Sequence, residues 1–289
     1  MRCECDFRSS DRVTAPNLPE LVADYPVAQQ RIAEFRSKGH TALQAVASRE
    51  EVAAYRPVIE AAALQHNWQT RPIEERDTYG KAFLQITNLW RVDAGVRRFV
   101  FARRFAKIAA ELLGVDGVRL YHDQALFKEP GGGPTPWHQD QYYWPFDGDE
   151  TITMWMPLID IPAEIGTMTF ASGSQRLGYL GSYEISDQSE TIFRQVIQER
   201  HLELETHGAL AAGDATFHRG WTLHGAGPNP TSTMRPVMTV IYFADGLRVA
   251  EPQTPGQQFD LHVWLPGLKP GDLAASEINP LLYAGSNAS

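Results

Sequence analysis

Trp137-His138-Gln139-Asp140-Gln141 is the stretch on which the reading of this chain turns. In an extended segment side chains alternate, so a His and an Asp two apart put an imidazole and a carboxylate on the same side. Such a pair can fill two adjacent positions on one metal ion. A third ligand from elsewhere would complete a two-His-one-carboxylate face. The opposite face would then stay open, which suits non-haem Fe(II) and dioxygen chemistry. Alone, the pair is a weak signal that a surface His beside a turn Asp would also give.

The third ligand must come from further along the chain, where His201, His207, His218, His224 and His262 are available. His224 sits in Trp221-Thr-Leu-His-Gly-Ala-Gly-Pro-Asn229, where a strand runs into a Gly-Pro-Asn turn. His218 lies in the same region, and spacing alone excludes neither. Arg235 follows His224 after enough chain for a turn and a return along a neighbouring strand. A guanidinium beside the metal can hold the far carboxylate of a dicarboxylic 2-oxo acid in a bidentate fork that Lys cannot copy.

Outward from this stretch the pattern is β. Val118 to Lys128 reads as an extended strand, closed by Pro130-Gly-Gly-Gly-Pro134, which lacks the features of a phosphate loop. Short apolar or alternating runs follow at 151–161, 166–171, 208–211, 215–218 and 236–243, separated by Gly, Pro, Asp and Asn. That spacing predicts an antiparallel sandwich or barrel. The polar insertion from Gly178 to His201, helical over 190–199, reads as a lid or binding loop.

Before residue 118 the periodicity is largely helical. One helix spans 29–38 and stops at Gly39, and a short strand covers 40–46. A capping box at Ser48 and Glu51 opens a helix to about residue 65, and 71–80 reads as loop. Phe83 to Trp90 reads as a short strand or irregular segment, and Asp93 caps a helix over 94–113. The fold class expected is an all-β core with helical decorations, a double-stranded β-helix (jelly roll, cupin-like) with a helical N-terminal third. Residues 1–28 form a lead-in tail, 29–289 a single domain with its core at about 118–244, and the segment after Ala244 wraps the outside.

The chain has 26 basic and 35 acidic residues among 289, a net charge of −9. That balance argues against nucleic acid or an anionic membrane as the partner, since both demand a basic surface. No apolar run reaches the ~20 residues of a membrane span, and the polar start lacks a signal-peptide core. Cys3 and Cys5 are the only cysteines, too close for an ordinary disulfide and without partners for zinc, so they read as part of the tail. A soluble, cytoplasmic protein is expected, with a small-molecule substrate. Oligomeric state is not legible.

Five segments taken in order, Trp137-His-Gln-Asp140, Trp155-Met-Pro-Leu-Ile-Asp160, Ala171-Ser-Gly-Ser174, His224-Gly-Ala-Gly-Pro-Asn229 and Arg235, resemble the phytanoyl-CoA dioxygenase family. The resemblance covers roughly residues 29–244. It implies an enzyme that uses Fe(II), 2-oxoglutarate and O2 to oxidise a C–H bond, most simply by hydroxylation, releasing succinate and CO2. It implies His138, Asp140 and His224 as iron ligands and Arg235 as the clamp on 2-oxoglutarate. It places Trp155 and Gln124 against the cosubstrate and Trp144 toward the substrate, and Asn88 and Trp90 are expected to face the same pocket. Lys128 reads as a solvated charge at a strand end.

Three positions depart from the family pattern. Ala226 replaces a Ser that bonds the cosubstrate, a role Thr239 is then expected to take. Ile165-Gly166 stands for Asn-Gly, and Gly173-Ser174-Gln175 for Gly-Ser-His. Asp140 keeps the carboxylate that related halogenases lose. The aromatic run Tyr142-Tyr-Trp-Pro-Phe146 and the lack of a basic cluster favour a free, mid-sized apolar or ring-bearing molecule over a CoA thioester, and the resemblance implies natural-product or specialised metabolism. The alternatives are an acyl-CoA hydroxylase, a cupin-type metal enzyme without a 2-oxo acid, and a non-catalytic binding protein on the same fold.

Overall fold

A computed structural model describes residues 17–285, so Cys3 and Cys5 lie outside the described residues. Helix α1 (Gln29–Lys38) ends at Gly39, whose φ of 84° suits a residue without Cβ. Strand β1 (His40–Leu43) follows. Helix α2 (Arg49–His66) opens on the expected capping box: Ser48 Oγ accepts from Glu51 N, and the Glu51 carboxylate accepts from Ser48 N. Within the stretch read as loop, α3 (Thr78–Ala82) forms on an Asp77 cap that accepts from Gly80 N. Strand β2 (Leu84–Thr87) comes next.

The single helix expected over 94–113 is two, α4 (Ala94–Val100) and α5 (Arg103–Leu113), broken at Phe101-Ala102. Asp93 caps the first, accepting from Gly95 N and Val96 N. The break brings Phe99 and Phe105 edge to face at 5.1 Å. It also sets Arg104 in a bidentate pair with Glu51, at 2.7 and 2.9 Å.

The remaining elements are β3 (Gly117–Lys128), β4 (Thr135–His138), β5 (Thr151–Pro157), β6 (Met168–Ala171), α6 (Asp187–Glu199), β7 (Leu204–Thr206), β8 (Ala215–Arg219), β9 (His224–Ala226), β10 (Arg235–Ala244), α7 (Pro255–Trp264) and β11 (Leu281–Ala284). No strand forms at 208–211, where Leu210 makes only an isolated bridge to Ile161. Two strands, β1 and β2, are interleaved with the early helices, and α6 and α7 come late, so the N-terminal third is mixed and not simply helical.

The strands form two antiparallel sheets. The seven-stranded sheet runs β1-β8-β5-β10-β3-β11, with β2 on the same edge of β3 as β11. The four-stranded sheet runs β4-β9-β6-β7. Together they make a jelly roll. Strand β10 is buried along its whole length. Its Met238, Val240 and Tyr242 join the core formed with Tyr55, Phe99, Phe105 and Ile108 of the helices. The alternate residues Arg235, Thr239 and Ile241 line a cavity between the sheets. Burial on both faces explains the unbroken apolar run of this strand. Truncating Phe105 to Ala should cost about 3–5 kcal/mol by emptying the seam between helices and sheet, read as a lower urea midpoint with unchanged slope.

Candidate active site

The register of the small sheet brings two histidines together. His138 on β4 and His224 on β9 are direct cross-strand partners, with ring centroids 4.1 Å apart. Both rings are oriented alike. His138 Nδ1 lies 2.8 Å from Pro136 O, and His224 Nδ1 lies 2.9 Å from Thr222 O. A ring whose Nδ1–H is donated to a carbonyl presents a free Nε2 lone pair. Asp140, in the turn just after β4, places Oδ1 3.5 Å from His138 Nε2 and 3.7 Å from His224 Nε2. Ligand atoms of His138, Asp140 and His224 all lie within 4.8 Å of one another. Two imidazole lone pairs and a carboxylate fit a divalent first-row metal with an open face.

His218 sits differently. Its Nε2 is 3.1 Å from Asp140 Oδ2, the oxygen turned away from the other two rings. Thr153 Oγ1 donates to the same oxygen at 3.0 Å. His218 and Thr153 are register partners on β8 and β5, so the large sheet braces a carboxylate that the small sheet presents. Burial pushes the Asp140 carboxyl up, but His224, His138 and His218 outweigh it and hold it well below the usual range. Burial, with His138 and His218 alongside, drives His224 well below its ordinary value, which keeps its ring neutral and able to ligate.

Arg235 is 2% exposed, and its Nε is buried without a partner. Nη1 donates to Gly166 O, and the guanidinium lies 5.1 Å from the centre of the Trp155 ring. Burial alone lowers it to about 9. A desolvated guanidinium with an unpartnered Nε on a cavity wall fits a carboxylate ligand. Trp155, Gln124 and Thr239 also line this cavity, which measures about 620 Å³. Thr239 Oγ1 donates its proton to Gln124 O at 3.1 Å, so it has none left to replace the hydroxyl that Ala226 lacks. Thr135, which lines the cavity, stands directly opposite Ala226 across β4 and β9.

Several expectations need correction. Lys128 is fully buried, pairing with Arg235 across β3 and β10 and donating to Gly133 O. Burial first, and Arg235 second, lower it to about 7. Both side chains converge on Gly166 (φ 52°), where a Cβ would lie 2.7 Å from Gly227 O and 3.2 Å from Lys128 Cδ. Asn88 and Trp90 do not line the cavity. Asn88 takes a left-handed turn (φ 53°) and its Oδ1 accepts from Trp90 Nε1 at 3.0 Å. Trp90 packs on Phe101 in the helical core, because alternation on β2 sends Gln85 and Thr87 to the cavity and the turn carries the next residues away. Trp144 does line it. The segment after Ala244 is not a mere wrap: α7 contributes Phe259, Asp260 and Trp264 to the wall. The 178–201 insertion reaches it too, through Glu184 and Ile185, with Ile185 N donating to Tyr143 Oη at 3.0 Å.

The phytanoyl-CoA dioxygenase family model matches residues 35–237. The chain belongs to the phytanoyl-CoA dioxygenase family. It is 26% identical over 228 residues to a probable alpha-ketoglutarate-dependent hypophosphite dioxygenase of Stutzerimonas stutzeri, covering 75% of this chain and 78% of that one. Among solved structures it is similar to the non-haem alpha-ketoglutarate-dependent carbocyclase SnoK of nogalamycin biosynthesis (TM-score 0.72, 23% identity, 88% of this chain and 96% of that one). The epimerase SnoN, solved with Fe3+, alpha-ketoglutarate and nogalamycin RO, has a TM-score of 0.70 at 27% identity, over 88% and 98% of the two chains. EctD from S. alaskensis, with 2-oxoglutarate and 5-hydroxyectoine, has a TM-score of 0.61 at 20% identity, over 87% and 88%. Among the described residues no helix is long and apolar enough to cross a membrane.

Two predictions follow from this geometry. His224→Ala should abolish Fe(II) binding in an anaerobic titration, whereas His218→Ala should weaken it about 10–100-fold, as loss of a bracing partner does. Lys128 is lowered in the folded state, so the unfolded chain binds the extra proton between about pH 7 and its ordinary value near 10.4. Its contribution to stability therefore rises with pH across that window. Lys128→Met should remove this rise from urea midpoints measured without ligand.

Proposed function

We propose that this 2-oxoglutarate-dependent dioxygenase hydroxylates a C–H bond of a small, ring-bearing metabolite in specialised metabolism, as one catalytic domain in the cytoplasm. The observation that carries the reading is a His138–Asp140–His224 cluster sharing one cavity with the buried Arg235 guanidinium, whose Nε has no partner. His138, Asp140 and His224 would hold Fe(II) through two Nε2 atoms and one carboxylate oxygen. Bound iron with 2-oxoglutarate supplies dioxygen activation coupled to decarboxylation to succinate and CO2.

The chain's own residues do the rest. His218 and Thr153 fix Asp140 Oδ2, so that Oδ1 faces the two rings. Arg235 fixes the far carboxylate of the cosubstrate, with Trp155 beneath the guanidinium and Gln124 alongside. Thr135 stands where Ala226 leaves no hydroxyl. Trp144 and the aromatic wall exclude water from the reacting C–H. A cavity of about 620 Å³ walled by Tyr143, Trp144, Trp264 and Phe259 is far larger than hypophosphite requires. A second reading, C–H oxidation ending in ring closure or epimerisation, is favoured by the higher TM-scores of the carbocyclase and the epimerase than of EctD.

Adding 2-oxoglutarate to the anaerobic Fe(II) protein should produce a metal-to-ligand charge-transfer band. Arg235→Ala should raise the KM for 2-oxoglutarate at least about tenfold, since a charge-assisted bond of about 1.5–3 kcal/mol is lost, with the fold intact. A band that never forms, or unchanged cosubstrate dependence, would sink the assignment. Thr135→Val should raise the same KM by a smaller factor and leave Fe(II) affinity unchanged.

A further inference from the structure

The register of the large sheet gives the cavity a direction. His218, Thr153, Ile241 and His122 form one row across β8, β5, β10 and β3. Thr153 braces Asp140 at one point of that row. His122 stands two strands away, about 10 Å at the usual strand spacing. Arg235, Lys128 and Trp155 lie along the strands on the other side, so the cosubstrate end and the His122 end of the cavity are distinct.

At the His122 end, β3 carries an irregularity. Ile241 pairs with His122 and Tyr242 with Leu120, which leaves Tyr121 as an extra residue. A bulge of this kind re-aims side chains. Here it turns both Tyr121 and His122 toward α7. Tyr121 Oη donates to Asp260 Oδ2 at 2.7 Å. The His122 ring lies 4.8 Å from the Trp264 ring, tilted by 34°. His122 is 3% exposed, and its Nδ1 is buried without a partner.

His122, Asp260 and Trp264 all line the cavity, together with Tyr79, Phe83, Tyr143, Trp144 and Phe259. The other charged groups on this lining are acidic, Asp77 and Glu184 with Asp140 at the iron cluster, and its one arginine is Arg235 at the opposite end. Burial lowers His122 to about 4, against a smaller upward pull from the Asp123 main chain, and raises Asp260 to about 7 against bonds from Tyr121 and Trp264. Near neutrality His122 is thereby an uncharged imidazole inside an aromatic box, and Asp260 beside it keeps part of its charge.

We propose that His122 and Asp260, with Trp264 as a stacking face, are the specificity-determining residues of the substrate end, recognising a hydroxyl remote from the oxidised carbon on a flat, ring-bearing, non-anionic molecule. This rests on the reading of the cluster as the iron site. It names the substrate by its chemistry: ring faces for the aromatic walls, a hydroxyl for the unsatisfied imidazole, and no carboxylate or phosphate facing Asp77, Glu184 and Asp260.

The test uses the protein with Fe(II) and 2-oxoglutarate bound under anaerobic conditions. Isothermal titration calorimetry compares 2,6-dihydroxynaphthalene, naphthalene and 2-naphthoyl-CoA as probes. The dihydroxy probe should bind about tenfold tighter than naphthalene, the yield of one well-placed hydrogen bond, and the anionic thioester weakest. His122→Phe and Asp260→Asn should each bring the two naphthalenes within about twofold of one another, with the charge-transfer band and thermal melt kept. Equal binding of both naphthalenes to the wild type, tighter binding of the thioester, or full discrimination in both variants would overturn the inference alone. A wild-type protein without the band would overturn the iron-site reading, and this inference with it.

Discussion

The two oxygens of Asp140 are the point on which the site depends. Oδ1 faces His138 and His224 from the small sheet, and Oδ2 is taken by Thr153 and His218 from the large one. Partial burial works against ionisation of this carboxylate, and the three imidazoles around it reverse that preference. Neither sheet makes this arrangement alone. The register of the small sheet sets the two imidazoles side by side, and the packing of the large sheet against it fixes how the carboxylate is turned toward them.

The same logic extends outward in layers. Cations are gathered at one end, where Arg235 and Lys128 pair across β10 and β3 with Gly166 against them. The Asp260 carboxyl of α7 and the unpartnered His122 imidazole of β3 stand at the other. A cavity polarised in this way can hold two dissimilar molecules in a fixed order, because each is repelled or left unpaired at the wrong end. The helical layer behind the large sheet supplies stiffness: Phe99, Phe105, Val240 and Tyr242 pack without exposed surface, so the strands carrying the site have no slack.

How much of this was legible varied with sequence distance. His138 and Asp140 could be read together because strand periodicity is local. Arg235 was legible from its spacing to His224 and from the resemblance. The choice between His218 and His224 was open to spacing, since both lie on strands that meet Asp140, and the side from which each ring approaches is a tertiary fact. Lys128 was misread because a Lys at a strand end before a Gly run looks solvated. Its alternation with Gln124 and Leu126 was the overlooked signal. Asn88 and Trp90 were misread because a left-handed turn after β2 reverses their direction. Asp260 and Trp264 gave no signal, for their place on the cavity wall exists only once α7 docks on a bulge more than a hundred residues earlier.

The strand pairings also set an order of events. His40 pairs with His218, and His138 with His224, so the sheets close through contacts far apart in the chain. Contacts of that kind make folding slow, because loop-closure entropy is spent before the packing is gained. Until β8, β9 and β10 are in place, the chain holds at most two of the three candidate ligands and no buried guanidinium. Nothing in that half-built state would favour iron over competing ions. Metal selection thus belongs to the finished sandwich and not to the nascent chain, so loading should follow folding and contribute little to its nucleus.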